Sequence, residues 1–244
     1  MPPPQEVLGV TKVGKDLVVG TSQGLALLTT DGLVHCKGLD TPVHSLHYLE
    51  SLHLLILATG GDGLPSQLVT ISTLALSLPL TPIQVTPELA TCHTFSAQEN
   101  NKGKVFLCAT SEDLVVILEW SAKRGAFVLR NKFSTDQPCR AIEFTEQTVL
   151  VGTTKLYEID LKTFSAEEFL DLTNPGVKAT VSSAAFQGSL PRWDQKHLWQ
   201  NCDQYVVFFF RGVMRRPRDG GDPEYLLAFT RHILFVDSFG QQTR

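Results

Sequence analysis

The chain has 244 residues, of which 43% are hydrophobic and 19% charged, a balance that supports a real apolar core and argues against disorder. Its net charge of −4 gives no global attraction to nucleic acid or to an anionic membrane. No apolar run approaches the roughly 18 residues needed to span a bilayer, and the start Met1-Pro2-Pro3-Pro4 is not a signal peptide.

In chain order, the first unit predicts strands at Leu17-Val18-Val19-Gly20-Thr21 and Gly24-Leu25-Ala26-Leu27-Leu28. A hairpin turn at Asp31-Gly32 then leads to Leu33-Val34-His35-Cys36. The second unit runs from Val43 to Leu78. It comprises Val43 to Tyr48, His53 to Thr59, the Gly60-Gly61-Asp62-Gly63 loop, Leu68 to Ile71 and Leu74 to Leu76. Pro79, Pro82 and Pro87 follow as a stiff link with little room for strand pairing. The third unit predicts strands at Cys92–Phe95, Val105–Thr110, Leu114–Trp120 and Ala126–Arg130. The fourth has Cys139–Phe144, Thr148–Gly152, Leu156–Asp160 and an amphipathic stretch from Lys162 to Leu170.

These units share a marker, an apolar run ending in Gly-Thr or Ala-Thr. It occurs at Gly20-Thr21, Ala58-Thr59, Ala109-Thr110 and Gly152-Thr153, with a looser echo at Leu227-Ala228-Phe229-Thr230. The first gaps are roughly 40 to 50 residues, the period of four-stranded propeller blades, and the last is nearly double. The expected fold class is therefore all-β, a β-propeller of four-stranded blades. The expected core holds Leu17, Val19, Leu55, Leu57, Phe106, Val116, Val149, Val151, Leu156, Ile159 and Phe235, all on apolar strand runs.

Several stretches together resemble a known family. TVLVGTTKLYEIDLKTFSAEEFLD, EYLLAFTRHILFVDSFGQQTR, ATCHTF and KVFLCATSEDLVVILEW are similar to the citron homology (CNH) domain, as is Gly24-Leu25 after DLVVGTSQ. Each piece alone is a generic strand pair; the ordered set carries the likeness, which spans nearly the whole chain. The resemblance implies a seven-bladed propeller found near the C-terminus of larger signalling proteins and serving as a non-catalytic interaction platform. The implied partners are Rho-type small GTPases or cytokinetic machinery, with a cytoplasmic location at the cleavage furrow or midbody. A membrane- or vesicle-tethering adaptor is the alternative that the same family implies.

On this reading residues 1–244 form one CNH propeller domain, truncated at its C-terminus, with about five blades of the seven. Such an arc is expected to be open, with exposed strand edges near residues 6–11 and 234–238. Residues 188–223 depart from the family pattern and read as a lineage-specific insertion or a gene-model artefact.

Local features that carry chemistry elsewhere have plainer readings here. His44, His47 and His53 lie close in sequence, but the first two fall on opposite strand faces and no tetrahedral donor set is complete. They read as edge or loop histidines. Gly60-Gly61-Asp62-Gly63 lacks the Lys-Ser/Thr and following helix of a phosphate loop, and reads as a turn. Arg211, Arg215, Arg216 and Arg218 form a basic run that reads as a solvated loop. Glu167-Glu168 reads as a charged outer-strand surface. Neither GxSxG nor HExxH occurs. The five cysteines, Cys36, Cys92, Cys108, Cys139 and Cys202, lack CxxC spacing and suit buried thiols in a reducing compartment. The expectation is a soluble, intracellular protein-binding domain with no catalytic, metal or cofactor residues and no nucleic-acid partner.

Overall fold

The computed structural model describes residues 6–29, 32–61, 64–76, 78–135, 137–139, 141–153, 155–171, 212–218, 221–228 and 233–236. Among them are nineteen strands and two short 3₁₀ turns. The first sheet is β1 (Val7–Val13), β2 (Asp16–Thr21), β3 (Gly24–Thr29) and β4 (Gly32–His35). The second is β5 (Val43–Leu49), β6 (Leu54–Gly61), β7 (Leu64–Ser72) and β8 (Ile83–Gln84). The third is β9 (Thr94–Glu99), β10 (Val105–Ser111), β11 (Leu114–Ser121) and β12 (Ala126–Ser134). The fourth is β13 (Ala141–Phe144), β14 (Thr148–Gly152), β15 (Lys155–Asp160) and β16 (Ala166–Asp171). A further sheet holds β17 (Gly212–Arg218), β18 (Gly221–Ala228) and β19 (Ile233–Val236). Each is a meander in which sequence neighbours are spatial neighbours, the form of a propeller blade. The chain divides into two compact units, Met1–Lys132 and Phe133–Arg244.

In the first unit the sheets stack face to face. Val18 and Leu25 of blade 1 pack with Leu55, Leu57, Val69 and Ile71 on one face of blade 2. The other face of blade 2 gives Ile56 and Leu68, which pack with Leu107, Ala109, Val116 and Leu118 of blade 3. The central strands are thus covered on both faces, so β6 and β10 read as unbroken apolar runs rather than as alternation. Fully burying each such Leu or Ile contributes about 1.5–3 kcal/mol. The first strands of the blades lie side by side, β1 beside β5 and β5 beside β9.

The repeated Thr marker has a structural reason. Thr21, Thr59, Thr110 and Thr153 are all buried at the end of the second strand of their blades. Each satisfies its hydroxyl on nearby backbone: Thr21 Oγ1 donates to Gly24 O at 2.8 Å and Thr153 Oγ1 to Lys155 O at 3.2 Å, across the turn into the third strand. Thr110 Oγ1 donates instead to Thr94 O on the first strand, at 3.4 Å. The residue before the first of these is small for a separate reason: a Cβ on Gly20 would stand 2.5 Å from Val43 O of blade 2.

In unit 2, the core of blade 4 is Val149, Leu150, Val151, Leu156 and Ile159, all fully buried. Strand β17 lies against β13 and β14.

Of the expected core, Val19, Leu55, Leu57, Phe106, Val116, Val149, Val151, Leu156 and Ile159 are buried. Leu17 is not; it is 38% exposed, because it sits beside the β1–β2 turn opposite Lys12. The side chain of Phe235 lies outside the described residues. Residues 73–75 form a 3₁₀ turn rather than the start of a strand, capped by Ser72, whose Oγ accepts from Leu74 N. The fourth strand of blade 2 is instead Ile83–Gln84, within the proline-rich link, pairing with Val69 and Thr70. It is an edge strand that follows Pro82, the setting in which proline is tolerated. The basic run also differs from a loop: Arg215, Arg216 and Arg218 lie on β17, paired with β18. The register slips between Arg216 and Arg218, at Pro217, which has no N–H to give the ladder. Residues 188–211 lie outside the described residues.

Candidate interaction surface

In a four-stranded meander the first and third hairpin turns emerge at one end of the blade and the second at the other. In blade 3 this rule separates charge. One end carries the β9–β10 turn, with Lys102 and Lys104, and the β11–β12 turn, with Lys123 and Arg124, all exposed. The other end carries the β10–β11 turn, which is Glu112-Asp113.

Both basic turns are fixed by their own hydrogen bonds. Asn100 Oδ1 accepts from Lys102 N and Lys104 N, each at 3.0 Å, and Gly103 N donates to Asn100 O at 2.9 Å. Arg124 N and Gly125 N donate to Ser121 O at 3.0 and 2.8 Å. Just below them, Glu119 on β11 has a side chain only 10% exposed, held between Lys104 Nζ at 3.0 Å and Arg130 Nε at 2.7 Å. Burial alone would raise the Glu119 carboxyl. The hydrogen bond from Lys104 and the charges of Arg130 and Lys104 outweigh that and hold it below the usual carboxylate range.

The end of blade 3 therefore has five cationic side chains, Lys102, Lys104, Lys123, Arg124 and Arg130, against the carboxylates of Glu99 and Glu119. That is a local excess of three positive charges on a chain whose net charge is −4. Trp120 follows Glu119, is half-buried, and stands edge-on to Phe127 with ring centroids 5.2 Å apart. This cluster is not visible as a motif, because its lysines lie in two turns about 20 residues apart. The signal that could have found it is the hairpin rule applied to blade 3.

The residues singled out in the sequence are placed as follows. His44 and His47 stand on β5 and His53 ends a 3₁₀ turn with φ of +48°. Among the described residues, no group of three or more His, Cys, Asp or Glu side chains comes together as a metal site. Burial lowers the pKa of His47, so its neutral form is favoured. Gly61 has φ of +115° at the end of β6 and packs against the His44 ring; a Cβ there would stand 2.8 Å from His44 Cε1. Asp62 and Gly63 lie outside the described residues. Glu167 and Glu168 are exposed on β16, and Glu168 pairs with Lys155 at 2.9 Å. Cys36, Cys92, Cys108 and Cys139 are buried free thiols, and burial pushes the Cys92 thiol up to about 12, which leaves it unreactive at neutral pH. Cys202 lies outside the described residues. Among the described residues, no helix is long and apolar enough to cross a membrane.

The consecutive four-stranded meanders, with first strands side by side in the first unit, define a β-propeller fold. Solved structures bear this out. The AfRom2 CNH domain superposes with a TM-score of 0.61 at 18% identity, over 98% of this chain and 71% of that one. The WD40 domain of Neurospora crassa Pan2 superposes with a TM-score of 0.54 at 9% identity, over 95% of this chain and 61% of that one. The CNH domain family model matches residues 13–244, so the chain belongs to the CNH domain family. Citron Rho-interacting kinase of Homo sapiens is 28% identical over 93% of this chain, and the Mus musculus protein 27% identical over the same share. The chain spans 11% and 10% of the length of those two relatives.

Proposed function

We propose that this chain is a protein-interaction module acting in Rho-type small GTPase signalling, with a regulatory rather than catalytic part. The observation that carries this reading is the similarity to citron Rho-interacting kinase over 93% of the chain, together with the CNH match over residues 13–244. The fold agrees with it. Blades expose their turns at both ends, and such turns, held on rigid strands, suit docking of a partner through a few aromatic or cationic anchors. The module works in the cytoplasm, and its place in cytokinesis would be the cleavage furrow or midbody.

The direct test is binding of the purified chain to Rho-type GTPases loaded with a non-hydrolysable GTP analogue or with GDP, read by interferometry. Saturable binding that depends on the nucleotide is expected. No binding in either state overturns the GTPase assignment. In dividing cells, a fluorescently tagged chain is expected to gather at the furrow; uniform fluorescence through division would remove the cytokinetic part.

A further inference from the structure

We propose that the basic end of blade 3, built from Lys102, Lys104, Lys123, Arg124 and Arg130, docks an acidic segment of a partner protein. This deepens the reading of the chain as an interaction module and rests on it. Among the described residues, Lys102, Lys123 and Arg124 form no ion pair, so their charges are available to a partner. Lys104 and Arg130 are held on one carboxylate, which leaves a positive excess and fixes both chains in place. Because the two turns are tied by their own hydrogen bonds, little backbone freedom is lost when a ligand binds. Trp120 lies on the opposite face of β11, packed with Phe127 in the layer shared with blade 2, so the patch is built of cations alone.

The pattern favours an acidic protein segment over other anions. Glu112 and Asp113 at the opposite end, and the net charge of −4, work against a polyanion that wraps the surface as RNA does. An anionic membrane would need apolar side chains that protrude beyond the cations, whereas Trp120 lies against Phe127 and is half-covered. A partner segment rich in Asp and Glu matches the local charge.

The experiment uses the full chain labelled with nitrogen-15 and a short synthetic peptide that alternates Glu and Asp. Saturable shifts of the amides of Lys102–Lys104 and Lys123–Gly125 are expected, weakening as salt is added. The triple variant Lys102→Glu/Lys123→Glu/Arg124→Glu should bind the peptide at least about tenfold more weakly while melting at the parent temperature. Neutral Gln at the same three positions should fall between the two, which keeps the test informative if the reversed charges disturb folding. Glu112→Lys/Asp113→Lys, at the far end, should leave peptide binding within about twofold. Equal binding by the triple variant, or shifts confined to other residues, would overturn the proposal. So would tighter binding to polyuridine RNA or to phosphatidylserine vesicles than to the peptide. If the triple variant loses the peptide but still binds a Rho-type GTPase as the parent does, the basic end serves a partner other than the GTPase, so failure of this proposal and failure of the GTPase reading are told apart.

Discussion

Blades 2 and 3 share an architecture and differ in how they end. Each has a central strand sealed on both faces, β6 in one and β10 in the other, and they share one apolar layer. Blade 3 closes with the nine-residue β12, which adds Phe127 to that layer and Arg130 to the Glu119 network. Blade 2 closes with the two-residue β8, after a 3₁₀ turn and a run that includes Pro79 and Pro82. The difference teaches that a blade is specified by its inner strands. The outer strand is where these two blades differ in length and charge while the shared layer stays intact.

The shared layer is the place to break both blades at once. Leu107→Asp puts a carboxylate at a position with no exposure, between two sheets that offer no buried cation within the layer. The expected loss is several kcal/mol, about half or more of the stability of a typical domain. Circular dichroism should show an unfolded or far less stable chain at 25 °C. Ile56→Asp, from the blade 2 side of the same layer, should do the same; if either variant melted like its parent, the pairing of these two faces would be wrong.

Phe127→Ala tests the outer strand of blade 3 alone. The ring is buried in the layer and meets Trp120 edge-on, so its removal should cost about 3 kcal/mol in chemical denaturation. A loss below about 1 kcal/mol would mean that β12 is as dispensable as β8.

The sequence made the inner strands legible and the outer ones much less so. Val105 to Thr110 and Leu114 to Trp120 are apolar because both faces are covered, and their pairing follows that pattern. The Thr markers were readable as a period because burial at the turn between second and third strands recurs in each blade. Strand β9 starts at Thr94 rather than Cys92 and runs to Glu99, since its later residues Ser96, Gln98 and Glu99 belong to a half-exposed first strand with weak apolar signal. Ile83–Gln84 was hidden because two residues carry no periodicity and prolines flank them. The basic end of blade 3 was hidden for a different reason: its charges meet only once β9–β12 are folded as a meander.

Glu119→Gln sharpens the contrast, since blade 2 has no such network among its described residues. Because the partners Lys104 and Arg130 are largely open to water, they can be rehydrated, and the expected cost is about 1 kcal/mol at pH 7. The sign with pH follows from the lowered pKa of Glu119. Its contribution is present above the unfolded carboxyl value, about 4.3, and is lost as pH falls through the lower folded value. Parent and variant melting curves should therefore converge on acidification below that point. Curves that stayed apart by the same amount down to strongly acidic pH would show that the charge of Glu119 is not what stabilises this corner.

The smallest effect belongs to the edge of blade 2. Ile83 is 64% exposed, pairs only with Thr70 across the ladder, and has no strand on its other side among the described residues. Thr70 Oγ1 donates to Ile83 O at 3.4 Å, a bond to the backbone that any side chain at position 83 would keep. Ile83→Ser loses some β propensity and a little apolar contact, and leaves Val85 N donating to Leu68 O as before. The expected change is within about 0.5 kcal/mol, the range of ordinary surface substitutions. Ile83→Pro is a harsher probe of the same idea, because the bond from Val85 N to Leu68 O turns the Ile83 N–H toward β7 as well, and proline there removes it from a strand only two residues long. If β8 is the tolerant edge that its length implies, thermal melting should fall by only a few degrees, and the blade 2–blade 3 layer should keep its amide protection in hydrogen exchange. Loss of protection at Ile56 and Leu68 together would show that this short strand clamps the blade, and that the outer strand is not where blades are free to vary.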